Sequence, residues 1–550
     1  MGSFGELIAR LPVNDALFGG LVALAWLTCG LLWWAGRGRP ALVQAAQMVT
    51  LAALVVGAAL VHPLLGVIAG VGVFLTMTDA GTHRITTLRE AVFRKFAAFP
   101  DWLWLTGLAL ILRLPRLFDP LWYDETFTAY VARLPYQQVG NAMLQGDVHP
   151  PLWSSLEWLA KFAVGQSEAA LRLPALAFGL LAVALSYRLV LALGLGRWAA
   201  VLTGLLVAAL PAQLYFSSEA RAYTLLTCLA LGMVIAVLED RPPLFILCGA
   251  LSGWTHNLGY VYLGMLALAA LVYHRQARWL LAVGVAGAIS ALWLPFLPLQ
   301  LRDVSQGYWI QPLLLPKVFR PLVEVTVGET LPTNALLITY VPALLLTLIA
   351  FYHSRVWIGT RRGWVWLALT VGLPLVIALI SVLWRPVYLP RTLLPCVTAL
   401  IVAWGYALLV SRFARALAVI VVCCALWVFY GTTRPSLKGQ FAACAGADAV
   451  YFVNTSVQIA ADYYLDVRPQ VLWAGAYNYA DGLSPQAVQG LGFPQGELRD
   501  LTGDVCVVYH ETIITAAHER GEHERLLVQY GAALRPAAGG MLRIYRIHLP

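Results

Sequence analysis

The feature that most constrains this 550-residue chain is a series of apolar segments long enough to cross a bilayer. A helix needs about 20 predominantly apolar residues to span the hydrocarbon core. Hydrophobic residues make up 60% of the chain and charged residues only 12%, and the mean hydropathy is +0.73. Because a single soluble core could not bury so much apolar surface, the sequence predicts a polytopic α-helical membrane protein.

The apolar segments predict about 14 transmembrane helices. They lie near residues 17–36, 41–61, 64–78, 102–118, 170–190, 199–216, 221–238, 243–257, 259–273, 278–298, 335–352, 364–384, 391–410 and 414–431. The first segment is not followed by a clear small-residue cleavage site, so we interpret it as a retained span rather than a signal peptide.

Basic residues between the apolar segments orient the chain. Threading the segments puts on one side Arg37, Arg39, Arg84, Arg89, Arg94, Lys95, Arg188, Arg197, Arg241, Arg275, Arg278, Arg355, Arg361, Arg362, Arg412 and Arg415. By the positive-inside rule that side is cytoplasmic. The alternation of inner and outer loops holds only if residues 149–165 do not cross the membrane. Their length of roughly four helical turns is indeed short for a span, so we expect a helix at the outer interface.

The chain carries a formal net charge of +9. In a soluble domain this charge would suggest nucleic acid as a partner. Here arginine and lysine gather in short loops, where membrane topology and anionic lipid explain them. We therefore expect membrane lipid as a partner and no nucleic acid.

The threading divides the chain into three regions. Residues 1–100 hold three extra N-terminal spans and a basic cytoplasmic loop, and residues 101–431 form the main transmembrane region with outer loops 119–169 and 299–334. In residues 432–550 the segments "DAVYFVN", "DVCVVYH" and "MLRIYRI" predict strands, and "ITAAHERGEHERLLVQYG" predicts an amphipathic helix. We expect this tail to be a small C-terminal extracytoplasmic α/β domain.

The cysteines divide between membrane and tail. Six lie in predicted spans, where they resemble small buried apolar residues: Cys29, Cys228, Cys248, Cys396, Cys423 and Cys424. Cys444 and Cys506 lie in the tail, where an oxidising compartment would permit a disulfide between them, and two buried free thiols are the alternative. His518 and His523 are five residues apart and so on different helix faces, which argues against a metal site.

The segment "LWYDETFTAY", residues 121–130, sets Asp124 and Glu125 side by side just outside a predicted span. A carboxylate at the membrane surface acts as a general base when its surroundings bring its pKa near the working pH. Two adjacent carboxylates repel each other, which favours a cation or a metal beside one of them. The alternative is that the pair only caps an interfacial helix.

The threading brings other polar side chains to the same outer side. They are His149, Glu219, Arg221, His256, Asn257, Arg385 and Arg391. Each alone has a structural explanation, since arginines snorkel and a lone histidine is usually a structural residue. Together they offer acids for an acceptor and cations for a phosphate at the depth of a lipid head group, and the guanidinium fork suits phosphate.

Five motifs in order carry a family resemblance: "YDETFTAY", "HPPLW", "SEAALRLPALAFGLL", "SSEARAY" and "YWI" followed by a proline. The set resembles the bacterial branch of the GT-C glycosyltransferases, the family 39/83 group that contains protein mannosyltransferases and the lipid A aminoarabinose transferase. The match covers roughly residues 100–400. The resemblance implies a GT-C type membrane fold, with Asp124 as the catalytic base and Glu125 supporting it or holding a metal.

Further site residues are expected on this basis. Arg221, Arg385 and Arg391 would stabilise the donor phosphate. Relatives often have Arg-Tyr at the head of a late span, whereas Arg391 is followed by a threonine here, so the tyrosine's role is absent or belongs to Tyr388. If a divalent metal ion is used, its candidate ligands are Glu125, Glu219 and His256.

The resemblance implies transfer of a sugar, with inversion, from a polyprenyl-phosphate donor to an extracytoplasmic glycan, lipid or protein acceptor. The enzyme would lie in the bacterial cytoplasmic (inner) membrane and face the periplasm. A glycosyl phosphate already carries a good leaving group, so no nucleophilic carboxylate or nucleotide site is needed. One alternative is a transporter of lipid-linked substrates, which would place polar residues at mid-bilayer. Another is a non-catalytic lipid-binding or envelope-assembly scaffold.

Overall fold

The computed structural model describes residues 100–550 except 147–148, 305–309, 311, 314–323, 325–332, 432–436, 454, 474–493, 511–523, 527, 532–534 and 539–541. The three predicted N-terminal spans, 17–36, 41–61 and 64–78, lie outside these described residues. So do His518, His523 and much of the predicted outer loop 299–334.

Helices dominate the described part of residues 101–431, and the long apolar ones follow the predicted apolar segments. They are α1 Asp101–Leu117, α2 Tyr123–Arg133, α3 Tyr136–Gly146, α4 Leu152–Val164, α5 Glu168–Leu193, α6 Arg197–Ala209, α7 Pro211–Ser217, α8 Tyr223–Leu238, α9 Pro242–Thr255, α10 Gly259–His274, α11 Ala277–Ala291, α12 Leu297–Val304, α13 Thr333–Ile358, α14 Arg361–Leu367, α15 Leu373–Leu383, α16 Leu394–Val410 and α17 Arg412–Gly431. A short 3₁₀ turn, Arg391–Leu393, leads into α16.

Six helical segments in the described part of the chain are long and apolar enough to cross a membrane. They are Glu168–Ala192, Ala277–Gln300, Thr339–Ile358, Arg361–Leu383, Arg391–Val410 and Arg412–Gly431. A seventh span results if α6 and α7, which meet at 61°, form one broken span. Other predicted spans coincide with shorter helices, so the number of about 14 spans stays a prediction.

The bend between α6 and α7 has a cause in the sequence. Pro211 begins α7 and has no N–H to continue the α6 hydrogen-bond ladder. The buried guanidinium of Arg113 in α1 donates to the freed carbonyls of Val207 at 3.3 Å and Ala208 at 2.9 Å. Because these carbonyls are satisfied, the break is stable inside apolar surroundings.

Two glycines let α6 and α7 approach their neighbours closely. A Cβ on Gly405 of α16 would lie 2.1 Å from Oγ1 of Thr203 in α6. A Cβ on Gly179 of α5 would lie 2.2 Å from Oγ of Ser217 in α7. Both contacts require glycine, and small residues at such crossings are typical of membrane helices. The packing fixes the position of α7 and of the segment that follows it.

The C-terminal region contains a six-stranded sheet in the order β3-β2-β1-β4-β6-β5. Its elements are α18 Lys438–Phe441, β1 Ala449–Phe452, α19 Thr455–Tyr464, β2 Gln470–Trp473, β3 Gln495–Gly496, β4 Gly503–His510, β5 Arg535–Ala538 and β6 Leu542–Leu549. The pairs β1–β2, β1–β4 and β2–β3 are parallel, and the pairs β4–β6 and β5–β6 are antiparallel. Strands β1, β4 and β6 coincide with the three segments expected to be strands.

Cys444 and Cys506 form a disulfide bond. It joins the turn before β1 to strand β4, and it is the pairing that the sequence analysis set against two free thiols. Cys228, Cys248, Cys396, Cys423 and Cys424 are free.

One apolar cluster joins the sheet region to the segment of residues 119–169, called the 119–169 loop below. It contains Tyr130, Val131, Val139, Ala142 and Met143 of the loop together with Leu437, Phe441, Cys444, Val450, Phe452, Val457, Ile459, Cys506 and Ile544 of the C-terminal region. On its other side, the loop packs Leu121, Ala129 and Ala132 against Leu171 and Ala220. Helix α2 therefore lies between the sheet region and the membrane helices.

The sequence predicts that the 119–169 loop and the sheet region are extracytoplasmic, and labelling tests this prediction. Gln137 and Asp466 are exposed in these two parts, and Gln276 is exposed in a turn predicted to be cytoplasmic. We expect a membrane-impermeant maleimide to label Gln137→Cys and Asp466→Cys in intact cells, and Gln276→Cys only after permeabilisation. The reverse pattern would show that the predicted orientation is wrong.

Candidate active site

Glu125 anchors the beginning of α2. Its Oε2 accepts the backbone N–H of Trp122 at 3.1 Å and Nη2 of Arg172 at 2.7 Å, while its Oε1 accepts Nε of Arg172 at 2.7 Å. Both charged side chains are 0% exposed. This is a two-pronged, charge-assisted pair in a dry environment, where it is far stronger than it would be in water.

Arg172 is a residue that the sequence analysis did not select. Besides Glu125, its guanidinium donates to the carbonyl oxygens of Leu117 at 2.9 Å and Pro120 at 3.0 Å, and also to that of Asp119. It therefore fixes the link between α1 and α2. The signal was present, because an arginine within the apolar run "EAALRLPALAFGLL" must find partners inside the protein.

The backbone of Ala220, in "SSEARAY", completes this buried network. Its N–H donates to Oε1 of Glu125 at 2.8 Å, and its carbonyl accepts Oγ1 of Thr128 at 3.0 Å and Nε1 of Trp153 at 3.3 Å. Because Trp153 belongs to "HPPLW", four of the sequence motifs meet at this point. The network holds the neighbouring residues Glu219 and Arg221 in place.

Asp124 faces away from the network that holds Glu125. Successive residues of a helix point about 100° apart, so one carboxylate can be buried while its neighbour remains accessible. Oδ2 of Asp124 accepts Nη1 of Arg391 at 3.0 Å, and the two side chains are 25% and 14% exposed. The guanidinium of Arg391 also lies 5.9 Å from the ring centroid of Tyr223.

Two histidines lie near Arg391, and Arg221 adds a second positive charge beside them. The rings of His149 and His256 lie 4.2 Å apart between centroids, and Nδ1 of His256 accepts the N–H of Leu258 at 3.0 Å. Burial, followed by the positive charges of Arg221 and Arg391, holds the pKa of His149 well below its ordinary value. His149 is therefore neutral at physiological pH, and the arginines supply the positive charge.

The remaining predicted site residues differ in how deeply they are buried. Glu219 is buried next to Arg221 and close enough to Tyr223 to act on it electrostatically. Asn257 follows His256 and is half-buried, and Arg385 is half-buried on the loop before Arg391.

Tyr388 does not fit its predicted role. Its side chain is buried in the main apolar core, in the same cluster as Leu393 and Cys396. A phosphate would have to enter that core to reach the ring, at a large cost in desolvation. This geometry corrects the expectation that Tyr388 contacts the donor phosphate.

The structure argues against a metal at Glu125, which was one of the two roles that the resemblance implied for this residue. Each of its oxygens already accepts two hydrogen bonds, from Arg172, Trp122 and Ala220. Across the described ranges, no group of three or more His, Cys, Asp or Glu side chains is arranged to hold a metal ion. Glu219 and His256 as metal ligands stay a prediction.

Comparison with solved structures gives a likeness in fold. ArnT from Cupriavidus metallidurans, in a structure bound to undecaprenyl phosphate, has a TM-score of 0.54 at 14% identity, covering 81% of this chain and 97% of that one. This chain has the GT-C fold. It is a multi-pass GT-C membrane protein in which the Asp124–Arg391 pair joins the 119–169 loop to the start of α16.

Two other structures of this fold are similar. Arabinofuranosyltransferase AftD from Mycobacteria has a TM-score of 0.44 at 14% identity, covering 81% of this chain and 40% of that one. The Archaeoglobus fulgidus oligosaccharyltransferase has a TM-score of 0.40 at 12% identity, covering 72% and 64%. No protein-family model matches this chain, and no curated protein matches its sequence.

Removing Arg172 should strongly destabilise the protein. Arg172→Ala leaves the carboxylate of Glu125 buried without its cation, which typically costs about 3 to 5 kcal/mol. Unfolding by SDS titration in mixed micelles measures this loss. Adding Glu125→Gln to Arg172→Ala should recover part of it, because the stranded charge is gone. Arg525→Ala, which removes an exposed arginine paired with Glu497, is the control and should change stability by less than about 1 kcal/mol. If the stability losses of Arg172→Ala and Glu125→Gln, each measured alone, add up in the double variant, the ion-pair explanation is contradicted.

Another buried acid, Glu157 in α4, lies outside this network. Its side chain is 1% exposed, and neither carboxylate oxygen has a hydrogen-bond partner within the described residues. Burial, and then the charge of Glu125, holds the pKa of Glu157 well above its ordinary range. Glu157 therefore keeps its proton to a higher pH in the folded protein than an ordinary carboxyl group does.

This raised pKa predicts a pH-dependent stability. As pH rises above the ordinary carboxyl range, unfolded Glu157 releases its proton while folded Glu157 keeps it, so the folded state loses about 1.4 kcal/mol per pH unit until the folded pKa is reached. Glu157→Gln removes this loss. The variant's melting temperature should exceed that of the wild type by more at pH 8 than at pH 5. An equal difference at both pH values would contradict the assignment. Glu524→Gln changes an exposed acid; it is the control and should leave the profile unchanged.

Proposed function

We propose that this chain is a membrane glycosyltransferase that moves a sugar from a polyprenyl-phosphate donor to an acceptor on the extracytoplasmic side. The observation that carries the proposal is the contact between Asp124 and Arg391, which are 267 residues apart in sequence and meet at a partly exposed surface. A carboxylate and a guanidinium supply the two functions that the reaction needs. The GT-C fold, shared with an ArnT structure that contains undecaprenyl phosphate, supports the class of donor.

In the structure Nη1 of Arg391 donates a hydrogen bond to Oδ2 of Asp124. A donor phosphate offers the guanidinium more negative charge and a geometry that suits two hydrogen bonds. We infer that donor binding transfers Arg391 from Asp124 to the phosphate. The exchange both holds the leaving group and frees the carboxylate for the acceptor.

The transfer then takes place in one displacement. Asp124 orients the acceptor hydroxyl and takes its proton as the oxygen attacks the anomeric carbon. The bond from that carbon to the phosphate oxygen breaks, and its electron pair leaves with the phosphate. Attack opposite the leaving group inverts the configuration. Arg391, with Arg221 and Arg385, stabilises the negative charge that grows on the phosphate.

The proposal extends to location and partners. The enzyme lies in the bacterial inner membrane with its site facing the periplasm, and its acceptor is a glycan, lipid or protein of the cell envelope. If a divalent ion is required, Glu219 and His256 would supply two of its ligands. The displacement described above uses only Asp124 and the arginines.

Replacing the proposed base should abolish most of the activity. Asp124→Asn keeps the shape of the side chain but cannot take the proton, so transfer should fall by about 100-fold or more. The measurement is mass analysis of envelope glycans and glycoproteins in a deletion strain, which identifies the missing sugar, followed by complementation with each variant.

Asp119→Asn is the matched control, because Asp119 lies in the same loop, pairs with Arg116 and is similarly exposed at 23%. It should support near-normal transfer. Normal transfer by Asp124→Asn would overturn the proposed mechanism and favour the scaffold. Arg391→Ala should weaken binding of undecaprenyl phosphate to the purified protein by about 2 kcal/mol, because a charge-assisted contact is lost.

A further inference from the structure

The end of α19, in the sheet region, contacts both ends of the 119–169 loop. The hydroxyl of Tyr464 accepts the N–H of Leu121 at 2.5 Å and donates to Oε1 of Glu168 at 3.0 Å. A tyrosine hydroxyl has one donor and acceptor lone pairs, so it can make both bonds at once. One side chain of the C-terminal region thus connects the beginning of the loop to the start of α5.

Two neighbouring residues reinforce this connection. The hydroxyl of Tyr463 donates to the carbonyl of Gln166 at 2.9 Å. Arg133, at the end of α2, contacts Asp462 at 3.4 Å and lies 4.7 Å from the ring centroid of Tyr463. We call Asp462, Tyr463 and Tyr464 the 462–464 clasp.

The clasp acts on the backbone just before Asp124. Leu121 is fully buried, with the rings of Tyr463 and Tyr464 packed against its cluster. Arg172 binds the carbonyls of residues 117, 119 and 120 from the membrane side, and Tyr464 binds the N–H of Leu121 from the sheet side. The link into α2 is therefore held from two directions, and only the clasp belongs to the C-terminal region.

Tyr464 is chemically suited to a permanent hydrogen bond. Burial, followed by the negative charge of Glu168, raises the pKa of its hydroxyl. The hydroxyl is therefore protonated at every physiological pH and always has its hydrogen for Glu168. Its lone pair then remains aimed at the N–H of Leu121.

We propose that Tyr464 is a positioning residue for Asp124, so that the C-terminal sheet region takes part in the transfer reaction. The inference rests on the proposed function, in which Asp124 is the base. A misplacement of about 1 Å at a reacting group can cost on the order of 100-fold in rate. The clasp prevents such a misplacement by fixing Leu121, three residues before Asp124.

The test removes one oxygen atom. Tyr464→Phe keeps the ring in its apolar cluster and loses only the two hydrogen bonds. We expect the rate of sugar transfer in the complemented deletion strain to fall by about 10-fold, a fraction of the full misplacement cost. Binding of undecaprenyl phosphate by the purified full-length protein should change by less than about 2-fold, because the arginines are untouched. Amide hydrogen exchange over residues 118–126 should become faster.

Two tyrosines serve as matched controls. Tyr463→Phe loses a clasp bond that does not touch the residues before Asp124, so its transfer rate should fall much less. Tyr530→Phe lies in a different apolar cluster on the other side of the sheet and should have no effect. If Tyr463→Phe and Tyr464→Phe lose transfer activity and melting temperature equally, the 462–464 clasp only attaches the C-terminal region to the loop. That result would overturn the proposal. So would near-normal transfer by Tyr464→Phe.

The exchange measurement separates this inference from the proposed function. If the wild-type gene restores no sugar to the deletion strain, the proposed function fails. Faster exchange over 118–126 in Tyr464→Phe alone would still support the positioning of Asp124. Unchanged exchange would overturn the positioning, whatever the wild-type protein transfers.

Discussion

The buried pair of Glu125 and Arg172 is the interaction on which the rest of the site depends. Two charges without access to water are tolerated only when each is fully hydrogen-bonded. Here the hydrogen bonds of the pair come from four places: the link after α1, the start of α2, helix α5 and the backbone of Ala220. The pair therefore holds these four segments together. The pair fixes where α2 begins and which way it faces. The position of Asp124 follows from that orientation.

The two adjacent acids therefore have different roles. Glu125 is inaccessible and structural, and it combines the helix-capping role with an ion pair. Asp124, one residue earlier, turns toward the surface and meets Arg391. Their mutual repulsion is relieved because each has its own cation. From the sequence alone, helix capping and catalysis are alternative explanations for the two acids together. In the structure one carboxylate caps the helix, and the other remains available for chemistry.

Buried arginines recur in this fold where a helix is interrupted. Arg113 binds the carbonyls that Pro211 leaves free at the α6–α7 bend, and Arg172 binds those of the α1–α2 link. In apolar surroundings an unpaired carbonyl is costly, and one guanidinium satisfies several. Both arginines support segments that lead into the site. The C-terminal clasp supports the same link from the opposite side, so the accessible residues stand on a framework held at several points.

The sequence by itself determined the membrane class, the positions of the long apolar helices within the described residues and the motifs that carry the site residues. Periodicity, length and charge placement are local properties, so they can be read along the chain. Only the tertiary structure decided which side chain faces which. It paired Glu125 with Arg172, aimed Asp124 at Arg391, buried Tyr388 in the core and brought Tyr464 to Leu121. These contacts join residues far apart in sequence, and the packing that selects them leaves no periodic trace in the chain.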